Sequence, residues 1–206
     1  MSDAQAALEF RREAPRSLGM WVFLASELLF FGGLLAAYTH GRVMSPHSFA
    51  IASRHTHVVL GTVNTAVLLT SSALVALAVA CTQNTAHRRW TARLLWFTAL
   101  LGLAFMAVKG WEYAQEWKEH LFPGPGFALA EPGAQLFFML YFFTTGLHAI
   151  HLACGIVAVC VFARAVQRRR AWVTPDRVES LALYWHFVDV VWIFLYPLLY
   201  LVERHG

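Results

Sequence analysis

Residues 184–196 read YWHFVDVVWIFLY. They lie in an apolar run over 181–202, which is long enough to cross a bilayer. The run carries His186 and Asp189, three residues apart and therefore on one helical face. A carboxylate inside a membrane is retained where it has a partner or a role. Tyr184, Trp185, Phe187 and Trp192 flank the pair. The rest of the chain has to supply what this helix packs against.

Four further apolar runs do so, predicted as spans over 18–38, 57–81, 90–111 and 134–163. Of the 206 residues 58% are hydrophobic and only 14% charged, well below a soluble domain of this size. Mean hydropathy is +0.52. The fold class is therefore all-α, an integral membrane bundle of five transmembrane helices. Residues 1–17 form a polar tail, with a short interfacial helix expected to end near Pro15, and 18–206 form the membrane domain. The run after the tail is too long for a signal peptide and lacks a small-residue cleavage pattern.

Arginine is concentrated in the tail and in the loops following the second and fourth spans, so the N-terminus is expected in the cytoplasm and the C-terminus outside. The net charge of +4 reports this orientation and gives no sign of nucleic-acid binding. The loop 116–133, EWKEHLFPGPGFALAEPG, cannot be helical across Pro123 to Gly126. Cys81, Cys154 and Cys160 form no CxxC and read as small packing residues. Gly32 and Gly33 would allow a neighbouring helix to approach the first span. Asn64, Thr65, Thr70, Ser71 and Ser72 in the second span suit bonds back to their own helix or across to another.

At a rise of ~1.5 Å per residue, Glu27 lies roughly 13 Å from the start of the first span. His148, His151, His186 and Asp189 fall near the same depth, so the five are expected to form one polar layer. Lys109, Glu112 and Tyr113 form a second group near the outer end of the third span. Lys109 and Glu112 are spaced for an interfacial ion pair, and Lys109 is long enough to snorkel outward.

Three chemistries are open to these residues. A bis-histidine haem on His148 and His186 meets bulky neighbours in Leu147, Ile150, Trp185 and Phe187. A metal site lacks the facing Glu-x-x-His pairs of di-iron bundles. Proton handling by Glu27 with a histidine partner competes with a simple helix-locking hydrogen bond.

Five stretches taken in order resemble one family, subunit III of the haem–copper cytochrome c oxidases. They are WVFLASELLFF at 21–31, NTAVLLTSS at 64–72, the Glu112–Tyr113 pair, TGLHAIHLACG at 145–155 and the opening stretch. The resemblance spans nearly all of the membrane-embedded chain and implies the short form of the fold, the last five of seven helices. It implies a non-catalytic subunit of a respiratory-chain oxidase in a bacterial inner membrane, packed against catalytic subunit I. Haem and copper are then expected in the partner subunits and no cofactor in this chain. Support of proton uptake and bound phospholipid are implied as well. Glu27 matches the family's buried carbodiimide-reactive glutamate and His148 the histidine near it, making Glu27–His148 the expected contact. Lys109 stands where many members have glutamine. The turn HLFPGPGF and the ending YPLLYL resemble a divergent branch that includes accessory subunits of nitric oxide reductases, the alternative reading.

Overall fold

The computed structural model describes residues 3–83, 87–129, 131 and 133–201, with side chains from residue 18 onward. Six helices follow in order: α1 (Asp3–Met44), α2 (Pro46–Arg54), α3 (Val58–Thr82), α4 (Arg88–Lys118), α5 (Ala134–Gln167) and α6 (Pro175–Tyr200). No strand occurs among the described residues. Five helices are long and apolar enough to cross a membrane, α1 from Leu18 onward and all of α3 to α6. The all-α reading and the number of spans stand.

The boundaries differ in informative ways. The first helix is continuous from Asp3 and does not stop near Pro15. The third span continues past Trp111 to Lys118, so Lys109, Glu112 and Tyr113 are helix interior and Glu116 is not in a loop. Helix α2 was not anticipated, since its nine residues are too short and mixed to show periodicity. It begins on Pro46, whose missing N–H is tolerated in a first turn. The Pro-Gly segment is non-helical, with Gly124 and Gly126 at positive φ.

Helices α3, α4, α5 and α6 pack as a closed ring, each against two neighbours. The diagonals are bridged by long side chains. Trp185 and Trp192 are completely buried and reach α4, where Trp192 meets Phe105 at 4.8 Å between ring centroids. Such filling needs a small residue opposite. A Cβ at Gly102 would sit 2.9 Å from both Ile156 and Trp185, and one at Gly61 2.8 Å from Tyr196. These two glycines set the spacing of the ring. Between α3 and α6, Trp185 Nε1–H donates to Ser71 Oγ and Trp192 Nε1–H to Thr65 Oγ1, each at 3.0 Å. The hydroxyls of Thr65, Thr70 and Ser71 also donate to carbonyls of their own helix, so the α3 residues serve both uses.

Helix α1 leans against α5 and α6 outside the ring. Its contacts include Phe31, 2% exposed, and Tyr38, whose hydroxyl donates to the Leu198 carbonyl at 2.6 Å. The rest of its apolar surface is bare, including Trp21, Leu28 and Leu29. A Cβ at Gly32 or Gly33 would meet no atom within 4 Å, so none of the described residues uses the close approach they permit. Helix α2 seals one end of the α1–α5 seam with Phe49, packed edge-on against Tyr38 and Phe137. Cys81 and Cys160 are half-buried, whereas Cys154 is exposed on the outside of α5 and packs little.

Candidate functional site

The expected single polar layer resolves into separate arrangements. Glu27 of α1 pairs with His151 of α5, Oε2 to Nε2 at 3.1 Å. The expected partner, His148, is one helical turn away and faces the ring interior. The register of α5 decides this. His148 shares its face with buried Thr144, Leu152 and Ile156, while His151 turns toward α1. His151 Nδ1 lies 2.8 Å from the Leu147 carbonyl, which only accepts, so Nδ1 carries a proton. Nε2 then either receives a proton from a neutral Glu27 carboxyl or donates one to the carboxylate. Both states hold one proton between the two residues. The pair is about one-fifth exposed on each side, and Phe31 lies edge-on to the imidazole at 5.3 Å. Tyr184 steadies the same turn of α5 by donating to the His151 carbonyl at 2.8 Å.

His148 is 1% exposed and neither ring nitrogen has a hydrogen-bond partner. It lies between Phe105 and Trp192, at 5.7 and 5.2 Å between centroids. His186 Nδ1 meets Ser72 Oγ at 2.6 Å, joining α6 to α3. Asp189 is 3% exposed and lies beside the Ser72 hydroxyl, which approaches its carboxyl group outside good hydrogen-bond geometry. Asn64, also buried, has an unpartnered side-chain amide.

The second predicted group is placed differently from expectation. Lys109 neither snorkels nor sits at an interface, being 5% exposed inside the ring. Its ammonium donates to Glu112 Oε2 at 2.9 Å, Tyr200 Oη at 2.6 Å and Tyr141 Oη at 3.0 Å. All three of its donors are used. Tyr200 passes a hydrogen bond on to Glu112 at 3.1 Å. The rings of Tyr113, Tyr141, Trp192 and Tyr200 surround the ammonium at 5.0–5.6 Å. Tyr113 itself bonds Thr145 of α5. One helical turn beyond Glu112, Glu116 is 1% exposed and lies beside Tyr141, with neither oxygen in good hydrogen-bond geometry. Sequence reasoning missed Glu116, Tyr141 and Tyr200. The 109, 112, 116 spacing holds the signal for Glu116, but the Pro-Gly segment that follows makes 116–133 look like loop from the sequence. The tyrosines lie in apolar runs that give no such signal.

The chain is similar to known proteins over almost its whole length. A profile described as Cytochrome c oxidase subunit III matches residues 12–203. The chain belongs to the cytochrome c oxidase subunit III family. It is 31% identical to the Cytochrome c oxidase subunit 3 of Thermostichus vulcanus, over 96% of this chain and 94% of that one. The subunit 3 of Corynebacterium diphtheriae is 30% identical, over 98% and 96% respectively. The Heme-copper oxidase subunit I+III of Aeropyrum pernix is 31% identical over 94% of this chain, which covers 23% of that longer protein. As a subunit III family member with five apolar helices, the chain is a multi-pass membrane protein.

Proposed function

We propose that this chain is the non-catalytic third subunit of a haem–copper oxidase in a bacterial inner membrane. It would dock on catalytic subunit I, with haem and copper held by its partners. The observation that carries the reading is the family match over residues 12–203, strengthened by a relative named for subunits I and III in one polypeptide. That fusion favours a partnership in which the two lie side by side. The bare apolar face of α1, with Trp21, Leu28 and Leu29, offers a surface for such a partner or for phospholipid chains. The arginine bias favours a cytoplasmic N-terminus, and with that orientation the Glu27–His151 pair would lie in the inner half of the membrane.

In this reading the pair supports proton uptake. One proton lies between Nε2 and Oε2 in either arrangement, and each side chain is about one-fifth exposed. Glu27 and His151 would lend or store that proton next to subunit I and would form no redox centre of their own. Purification of the chain in mild detergent should recover oxidase subunits and the optical spectrum of a haem–copper enzyme. Recovery with a different enzyme would overturn the partnership. In the assembled oxidase, Glu27→Gln should slow proton uptake and shorten turnover lifetime. An assembled Glu27→Gln enzyme indistinguishable from wild type on both measures would leave the pair a helix clamp and nothing more.

A further inference from the structure

The α3–α6 ring is closed at one end by the Lys109 cluster and open at the other. The open end holds a cavity of about 310 Å³ between the ends of all four helices, its walls including Arg88, Thr91, Arg169, Arg170, Thr174 and Val178. We infer that this cavity binds a phosphate-bearing anion, most readily the headgroup of an anionic phospholipid.

Charge comes first. Three arginines from two elements line one cavity, and among the described residues no ion pair reaches any of them. The dipoles of the ring do not supply the field. Two helix C-termini, of α3 and α5, and two N-termini, of α4 and α6, meet at this end and oppose one another. The net potential therefore comes from the guanidinium groups.

The cations are also held in position. Arg88 donates through Nε at 2.6 Å and through Nη2 to the Val166 carbonyl at the end of α5, which also accepts from the Arg169 N–H. That fixes the guanidinium plane across the cavity and keeps its charge unneutralised. Arg169 is one of two non-glycine residues at positive φ in the described chain, at 52°. It follows Arg168, the C-cap of α5, where the turn closes through Arg169 N–H to Val166 O and Arg170 N–H to Ala165 O. Glycine, or less often asparagine, normally fills that position. An arginine there accepts backbone strain to place its side chain at the cavity, an outlier that points toward function.

Neutral donors complete the wall. Thr174 is the N-cap of α6, yet its side chain makes no capping bond, which leaves its hydroxyl and the N–H groups of Asp176 and Arg177 without a side-chain cap, Pro175 having no N–H. Guanidinium groups, a hydroxyl and helix N–H groups together suit a phosphate. The location at the helix ends, in a chain that crosses the membrane, puts the site at headgroup level, where basic pockets between helices hold anionic lipids. The inference does not depend on which enzyme is the partner.

The test uses the full chain in a neutral detergent, with lipid binding followed by native mass spectrometry. The probes are dioleoyl phosphatidylglycerol, dioleoyl phosphatidylcholine and inorganic phosphate. Arg169→Asn with Arg170→Gln removes two charges and keeps a residue suited to positive φ. Arg89→Gln with Arg93→Gln removes two charges at the same end but outside the cavity. Each arginine close to an anionic lipid is worth a factor of about five, so the cavity pair should lose phosphatidylglycerol binding by more than tenfold. The control pair should stay within about twofold. Far-UV circular dichroism verifies that both variants are folded. If the cavity variant does not fold, single Arg170→Gln replaces it, with a loss of about fivefold expected. Displacement of the lipid by millimolar inorganic phosphate would support the anion site and assign it to soluble phosphates. Resistance to displacement would support it as a headgroup site. Equal loss in both variant pairs, no loss in the cavity variant, or equal binding of phosphatidylcholine would overturn the inference.

Discussion

Replacing Lys109 with leucine should be the most damaging single change in the bundle, for a reason that a double substitution isolates. Lys109 is the one cation beside Glu112, whose carboxylate is completely buried and has one oxygen, Oε1, with no partner. Lys109→Leu leaves that carboxylate with only the Tyr200 hydroxyl, at 3.1 Å. Breaking a buried pair from one side costs about 3–5 kcal/mol. Glu112→Leu should cost less, roughly 2–3 kcal/mol, because the stranded ammonium keeps two tyrosine hydroxyls and the faces of four aromatic rings. Removing both residues together abolishes the charge problem. The tyrosines still bond each other at 3.1 Å. The double variant should therefore lie within about 1–2 kcal/mol of wild type. The resulting coupling is then at least about 3 kcal/mol. Reversible unfolding in mixed micelles, driven by sodium dodecyl sulfate and followed by far-UV circular dichroism and tryptophan fluorescence, reads all four corners of the cycle. A loss below about 1 kcal/mol for Lys109→Leu would mean the pair behaves as a solvated surface bridge. Additive single effects would mean the residues do not act as a pair. Either result would refute the reasoning.

Gly102→Ala should destabilise the ring by about 1–2 kcal/mol, since the new methyl meets Ile156 and Trp185 at 2.9 Å and neither can retreat from a filled core. Gly110→Ala, one face away with nothing within 4 Å, should instead stabilise α4 by up to about 1 kcal/mol; the same micellar unfolding series compares the two. Arg169→Gly should raise stability by roughly 0.5–1 kcal/mol in neutral detergent, because it relieves a positive φ. That gain should vanish when phosphatidylglycerol is added, and its persistence would separate Arg169 from the cavity's ligand. Tyr38→Phe should cost about 1 kcal/mol and loosen α1 from α6, visible as faster amide exchange in α1.

Much of the architecture was legible because membrane spans are written in long apolar runs, and loop 116–133 carries its Pro-Gly breaker openly. Two kinds of feature were not. Boundaries near polar residues were drawn too early. Lys109 and Glu112 lower local hydropathy, so the third span looked finished at Trp111 although the helix continues to Lys118. Rotation was the other loss. Residues 148 and 151 lie at similar depth, and depth arguments cannot choose between them. Only the packing of α5 against α1 on one side and α4 and α6 on the other gives His151 to Glu27 and buries His148. The arginine cavity was legible as charge alone: Arg88, Arg169 and Arg170 were counted as orientation signals, and nothing in the order of residues says that three of them share one wall.

The two ends of the ring solve the same electrostatic problem differently. At one end a cation is buried with a carboxylate and three hydrogen-bond acceptors in all, so the charge is neutralised within the chain. At the other, three cations have no ion pair among the described residues, and one of them is held at a strained backbone position. If self-repulsion were all that the second arrangement achieved, a glycine at 169 would be the better residue on both counts. A polar surface facing bulk water needs no such strain, because solvated arginines fit any loop. The strain is intelligible where an anion from outside the chain completes the site, as Glu112 completes the one around Lys109.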